Sequence, residues 1–197
     1  MKIGLIAMSG KPVTAGHWSL IDTASKENDL VKVYVSLSDR KRAGEFTILG
    51  SDMETIWKRY LQPILPANTM VIYGGSPVRK IYEFLQENNE EGSKNIFQVY
   101  GDPTDISQNF PVKNMLKYIE DIWKNNQVIL RKVSREGGVD ISGTKMREFL
   151  SSGLKETFKE YLPFPLKNDQ REAIWDLLSK TVNEQLLRNY ISGLWSS

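Results

Sequence analysis

The chain has 197 residues, with 26 Lys and Arg against 24 Asp and Glu, a net charge of +2 and no cysteine. Apolar residues at 40% and charged residues at 25% make an ordinary globular mix, long enough to bury a core and too apolar for a disordered chain. The near-neutral balance argues against a dedicated nucleic-acid surface, and the missing cysteines exclude disulfides, thiolate zinc sites, iron–sulfur clusters and cysteine nucleophiles.

The opening MKIGLIAMSG holds one lysine and a short apolar run. It lacks the longer apolar core and small-residue cleavage site of a signal peptide. No run approaches the ~18 apolar residues of a membrane span. A cytoplasmic protein is expected. Ile3 to Met8, bounded by Ser9-Gly10 and Pro12, reads as a buried strand. Leu20, Ile21 and Ala24 then fall at helical spacing, so a helix begins near Gly16–His17 and runs to about Lys26. Leu30 to Leu37 is rich in β-branched residues and reads as a second strand. A polar, basic loop follows over Ser38 to Thr47.

Ser51 and Glu54 have the spacing of a capping box. The helix after it carries Met53, Ile56, Trp57, Tyr60 and Leu61 on one face, and Pro63 and Pro66 end it. Thr69 to Tyr73 is a third strand, closed by Gly74-Gly75. A helix over Pro77 to Glu87 has Val78, Ile81, Tyr82 and Leu85 on one side. Asn95 to Tyr100 is a fourth strand, followed by the turn Gly101-Asp102-Pro103. Phe110 to Trp123 reads as one helix, Val128 to Val133 as a fifth strand and Ser142 to Leu150 as a short helix. After Pro163 and Pro165, Ile174, Leu177, Leu178, Val182, Leu186, Leu187, Tyr190 and Ile191 mark an amphipathic helix to about Leu194. It packs on the domain edge or makes an oligomer contact.

Strands alternating with helices imply βαβ units, right-handed crossovers and a doubly wound, Rossmann-like parallel sheet of five strands with helices on both faces. The expected organisation is a sheet domain over 1–162 and a C-terminal helical extension over 163–197. In such sheets ligands bind beyond the carboxyl ends of the strands. The loops over 9–16, 38–47, 74–77, 101–105 and 134–143 are therefore the ones that matter.

His17 is the single histidine, which excludes multi-histidine metal sites. The P-loop, the GxGxxG fingerprint and the GxSxG elbow are all absent. Two other segments carry chemistry. Ser9 to Trp18, SGKPVTAGHW, joins the first strand to the first helix. Backbone N–H groups at that helix start, with the close approach that Gly16 permits and the tight turn that Ser9-Gly10 permits, suit a phosphate. Asp140 to Glu148, DISGTKMRE, opens a second helix with Ser142 as N-cap, a hydroxyl at Thr144 and cations at Lys145 and Arg147. Each segment also has a plain reading. His17 would be a surface or capping histidine, and the second segment a capped helix with a basic face.

Together, VTAGHWSLI and ISGTKMRE resemble the HxGH/TxGH nucleotidyltransferase superfamily and its ISSTxxR-type second motif. The TxGH form is seen in phosphopantetheine adenylyltransferases, and the length and the Gly-Asp after the fourth strand look like nicotinamide-nucleotide adenylyltransferases. The resemblance covers about residues 1–160. Thr14 stands for the first histidine of HxGH, Lys11 for an aspartate before proline and Gly143 for the second serine of ISST.

The resemblance implies nucleotidyl transfer, with adenylyl transfer from ATP to a phosphorylated acceptor such as nicotinamide mononucleotide as the leading expectation and pyrophosphate as the product. Phosphopantetheine adenylylation, cytidylyl transfer to a sugar or polyol phosphate, and a nucleotide-binding regulator without turnover are the alternatives. It implies that His17, Thr14 and Lys41 are catalytic. It further implies that Ser9, Gly10, Gly16, His17, Asp102, Ser142, Gly143, Thr144 and Arg147 bind the nucleotide, with Arg42 and Arg79 as weaker phosphate contacts. Magnesium arrives on the triphosphate, and no metal is held by the protein itself. The expected partners are a nucleoside triphosphate and a phosphate-bearing small molecule. A homo-oligomer is allowed, and neither a membrane nor a nucleic acid is expected.

Overall fold

Four apolar runs and one mixed run pair as parallel strands in the computed structural model, which describes residues 1–40, 46–89, 94–133 and 141–194. They are β1 (Lys2–Met8), β2 (Leu30–Val35), β3 (Thr69–Tyr73), β4 (Ile96–Gly101) and β5 (Val128–Lys132). Their order is β3-β2-β1-β4-β5. The chain steps outward from β1 to β3, returns beside β1 with β4 and steps outward again, so the order reverses between β1 and β4. That is the doubly wound, Rossmann-like arrangement expected from the alternation of strands and helices.

The chain folds as two compact units. The first comprises Met1–Ser9, Gly16–Ser36 and Leu65–Gly138, and the second Gly10–Ala15, Leu37–Ile64 and Val139–Ser197. The boundary expected between 162 and 163 lies inside the second unit.

The first unit holds the whole sheet. Because successive side chains of a strand point to opposite faces, Ile3 and Leu5 of β1 lie with Phe97 and Val99 of β4 on one face. Ile81, Tyr82 and Leu85 of α3 (Pro77–Glu87) belong to the same buried cluster, as the spacing predicted. Ile106, Phe110, Met115, Ile119 and Ile122 complete it. Residues 103–124 differ from the single helix expected over Phe110 to Trp123. They form α4 (Pro103–Asn109), α5 (Val112–Tyr118) and α6 (Glu120–Lys124). Ile119 breaks the helix with φ −144° and ψ 42°. Met115, Ile119 and Ile122 keep helical spacing across the break, so the apolar period hides it.

In the second unit α2 (Gly50–Ile56) starts one residue before the expected capping box. Its N-cap is Leu49, without a side-chain cap bond, and Ser51 lies inside the helix. Asp39 Oδ1 accepts the Gly50 N–H at 3.0 Å and so satisfies the first N–H of the helix. A Cβ on Gly50 would stand 1.7 Å from the Leu37 carbonyl oxygen, so only glycine fits there. The helix continues as a π turn over Trp57–Leu61 and a 3₁₀ turn over Gln62–Ile64. The remaining helices are α7 (Gly143–Ser151), α8 (Lys155–Glu160) and α9 (Asn168–Leu194). The sequence reading did not include α8. In α9, Ile174, Trp175, Leu178 and Val182 are buried, while Leu186, Leu187, Tyr190 and Ile191 are exposed. The apolar stripe is thus used over its first half. Thr181 donates to Asp52 Oδ2 at 2.7 Å and Gln185 exchanges two hydrogen bonds with the main chain of Thr47, which binds α9 to the segment around α2. Among the described residues no helix is long and apolar enough to cross a membrane.

Candidate functional site

The second unit brings the Gly10–Ala15 part of the first motif segment into contact with the second segment. Gly10 to Thr14 is a buried loop with Gly10 at φ +35°. Ser142 caps α7 as predicted, its hydroxyl accepting from the Lys145 N–H at 3.1 Å. From the next turn of α7, Arg147 reaches back to the loop. Its Nη1 donates to the Lys11 carbonyl at 2.8 Å, across 136 positions of sequence, and its Nη2 donates to Thr144 Oγ1 at 2.9 Å. Arg147 is 4% exposed, so its guanidinium is a buried tie between segments rather than part of an exposed basic face.

That tie accounts for Gly143. A Cβ there would meet Arg147 Nη1 at 3.1 Å and the Lys11 carbonyl oxygen at 3.4 Å. A side chain at this position would press on the guanidinium that the loop holds.

Lys11 is the residue whose role the spacing did not show. It is 5% exposed, and its ammonium donates to the carbonyl of Ser38. Burial lowers the pKa of this amine below the ordinary lysine value; Asp39 acts against that shift and Arg40 adds to it. The signal in the sequence is a lone lysine inside the otherwise small and apolar loop SGKPV, which leaves its charge to be matched by a distant segment. Tyr161 was also not singled out, yet its carbonyl accepts the Ala15 N–H at 2.8 Å and fixes the start of α1 (Ala15–Glu27).

Thr14 is buried at 2% exposure, in the loop that Arg147 holds. Gly16 and His17 lie in the first turn of α1 and are half-buried; both belong to the first unit, as does the exposed Ser9. Asp102 serves as the N-cap of α4, accepting the Asp105 N–H at 2.8 Å, so the turn expected there begins a helix. Arg79 pairs with Glu83 at 2.8 Å on the surface of α3, with 80% of its side chain exposed. Lys41 and Arg42 lie outside the described residues.

These features define a Rossmann-like α/β protein with a five-stranded parallel sheet. No family model and no curated protein matches the chain. Solved structures do. One is a Vibrio parahaemolyticus protein provisionally assigned as a nicotinate-nucleotide adenylyltransferase, with TM-score 0.55 and 15% identity over 88% of this chain and 97% of that one. Another is Thermotoga maritima TmcAL bound with α-thio ATP, with TM-score 0.51 and 13% identity over 93% of this chain. The chain spans 56% of TmcAL. At these identities the likeness is one of fold.

Proposed function

We propose that the protein transfers the adenylyl group of ATP to a phosphorylated small molecule, with nicotinamide mononucleotide as the leading acceptor. The Arg147–Lys11 bond carries this reading, because it ties the Gly10–Ala15 part of the first motif to the helix of the second within one unit. The fold shared with an adenylyltransferase-assigned protein and with one that binds an ATP analogue supports it.

In the proposed reaction an oxygen of the acceptor phosphate attacks the α-phosphorus of ATP. The bond from that phosphorus to the bridging β-oxygen breaks, and pyrophosphate carries away the electron pair. Such a transfer needs alignment and positive charge more than covalent help. His17, in the first turn of α1, donates to the α-phosphate oxygens as charge builds there. Thr14 positions that phosphate through the loop to which it belongs. The N-terminus of α7, with Ser142, Gly143 and Thr144, holds the β- and γ-phosphates, since helix N-termini favour anions. Accepting from Lys145 leaves the Ser142 hydroxyl its own proton to donate. Arg147 serves that helix by fixing its distance from the loop. Lys41 in the loop after β2 is assigned to the attacking phosphate. Mg²⁺ enters with the triphosphate as part of the substrate, and the reaction belongs in the cytoplasm.

The test is pyrophosphate release. The protein is incubated with ATP or CTP, Mg²⁺ and a panel of phosphate monoesters: nicotinamide mononucleotide, 4′-phosphopantetheine and sugar or polyol phosphates. Release with ATP and the mononucleotide is expected. Release with CTP alone would change the donor, and release with another monoester the acceptor. Nucleotide binding without release from any pair would replace the enzyme by a nucleotide-binding regulator.

A further inference from the structure

Lys11 is tied at both of its polar ends. Its carbonyl accepts from Arg147 of α7 at 2.8 Å, and its ammonium donates to the carbonyl of Ser38, at the head of the basic loop after β2. The charged groups facing that ammonium are Asp39 and Arg40 of the loop. Lysine is rarely so deeply buried unless its charge is matched, and here the match is a main-chain carbonyl and a carboxylate of one short segment.

The two described ends of that loop are paired. Arg40 and Ile48 exchange main-chain hydrogen bonds at 2.9 and 3.3 Å. Asp39 Oδ1 accepts the Gly50 N–H at 3.0 Å, and the Leu37 carbonyl lies against the Gly50 α-carbon. Asp39 and Arg40 are therefore joined to Ile48 and Gly50 by hydrogen bonds. A residue that fixes Ser38 fixes Arg40, and through the paired backbone it fixes the return at Ile48 and Gly50.

We propose that Lys11 is a positioning residue, which sets Arg40 in the loop after β2 at a fixed place relative to α7 and so presents its guanidinium, whose buried Nε has no hydrogen-bond partner, to a phosphate-bearing acceptor. An aspartate at this position could not do this, because a carboxylate cannot donate to the Ser38 carbonyl. The consequence for the acceptor rests on the adenylyl-transfer reading; the grip on the loop does not.

The experiment has two arms on the full-length protein. In the first, amide exchange of Arg40, Ile48 and Gly50 is followed by NMR in wild type and in Lys11→Met, which keeps the aliphatic stem and loses the donor. Loss of a charge-assisted bond is expected to speed their exchange roughly tenfold, with Lys11→Arg restoring protection. The Ala15 amide, held by Tyr161, should stay protected and reports that the unit is folded. Wild-type exchange in Lys11→Met overturns the proposal. Should that variant fail to fold, Lys11→Gln replaces it; intermediate exchange is expected, and wild-type exchange again overturns the proposal.

In the second arm the KM of Lys11→Met for the acceptor rises roughly tenfold, with kcat and the KM for ATP little changed, and Lys11→Arg recovers it. Faster exchange with an unchanged acceptor KM overturns the positioning role. If wild type releases no pyrophosphate with any acceptor, the proposed reaction fails and the exchange arm alone decides the grip on the loop.

Discussion

Arg147 and Lys11 are 136 residues apart, yet the guanidinium of one donates at 2.8 Å to the main-chain carbonyl of the other. The bond lies in a buried place, with Arg147 at 4% and Lys11 at 5% exposure. Truncation to Arg147→Ala would leave that carbonyl without its donor and open a void beside Gly143. An orphaned buried acceptor costs about 1–3 kcal/mol, and each kcal/mol lowers Tm by roughly 2–4 °C in a chain of this size. Arg147→Lys keeps a charge but not the forked geometry that reaches Thr144 and Lys11 together. Thermal unfolding of both variants checks this, with alanine the lower and lysine between it and wild type. A wild-type Tm for Arg147→Ala would show the bond to be idle.

Gly143→Ala tests the same contact from the other side. Its Cβ would stand 3.1 Å from Arg147 Nη1. A free arginine tip would simply move, but this one is held by both Lys11 and Thr144, so it yields only by lengthening bonds. We expect Gly143→Ala to destabilise by about 1 kcal/mol, against the gain that alanine brings to an unconstrained helix position. In an Arg147→Ala background the clash is gone and the same change becomes neutral or stabilising. A double-mutant cycle by denaturant unfolding measures this coupling, and additive single effects would contradict it.

Sequence periodicity locates most of the sheet because β1 to β4 are short apolar runs ended by turn residues. It also locates α3 and the Ser142 cap, where local chemistry and packing agree. Local signals fail where a distant segment decides. Ser51 and Glu54 carry the letters of a capping box, but the helix starts at Gly50, whose N–H is accepted by Asp39 Oδ1 and whose place against the Leu37 carbonyl leaves no room for a side chain. Met115, Ile119 and Ile122 keep one apolar period through a backbone break at Ile119. In the site, the motif letters name the loop and the helix that meet. They do not name Lys11, whose meaning comes from the Ser38 carbonyl and the Arg147 guanidinium, both far from it in sequence.

His17→Ala is expected to lower kcat roughly 10²–10³-fold, the effect of removing one donor to a developing oxyanion. Its position in the first turn of α1, three residues from the buried Thr14, motivates this. Because His17 is only half-buried, Tm should change little, which separates a chemical from a structural loss. Single-turnover rates with ATP and the preferred acceptor supply the measurement. Wild-type turnover would leave His17 a capping histidine.

The sheet unit carries a titration that should show in alkaline unfolding. Tyr100 is 2% exposed; its hydroxyl accepts from Asn28 Nδ2 at 2.8 Å and lies 2.7 Å from Glu27 Oε2 and 2.6 Å from Gln98 Oε1. Burial chiefly, then the hydrogen bond to Glu27, pushes this phenol up to about 12, with Asn28 and Arg131 acting the other way. An unfolded tyrosine ionises near pH ~10. Between those values the folded state holds a proton that the unfolded state has lost, so stability is intact below about pH 10 and falls as pH rises toward about 12. Burial raises Tyr34 in the same direction, which adds to the slope. Tyr100→Phe should flatten the alkaline fall by up to about one proton, while costing about 1–3 kcal/mol at neutral pH because Asn28 loses its acceptor. Denaturant midpoints measured from neutral to strongly alkaline pH test both parts. An undiminished slope in Tyr100→Phe would mean that another group controls alkaline unfolding.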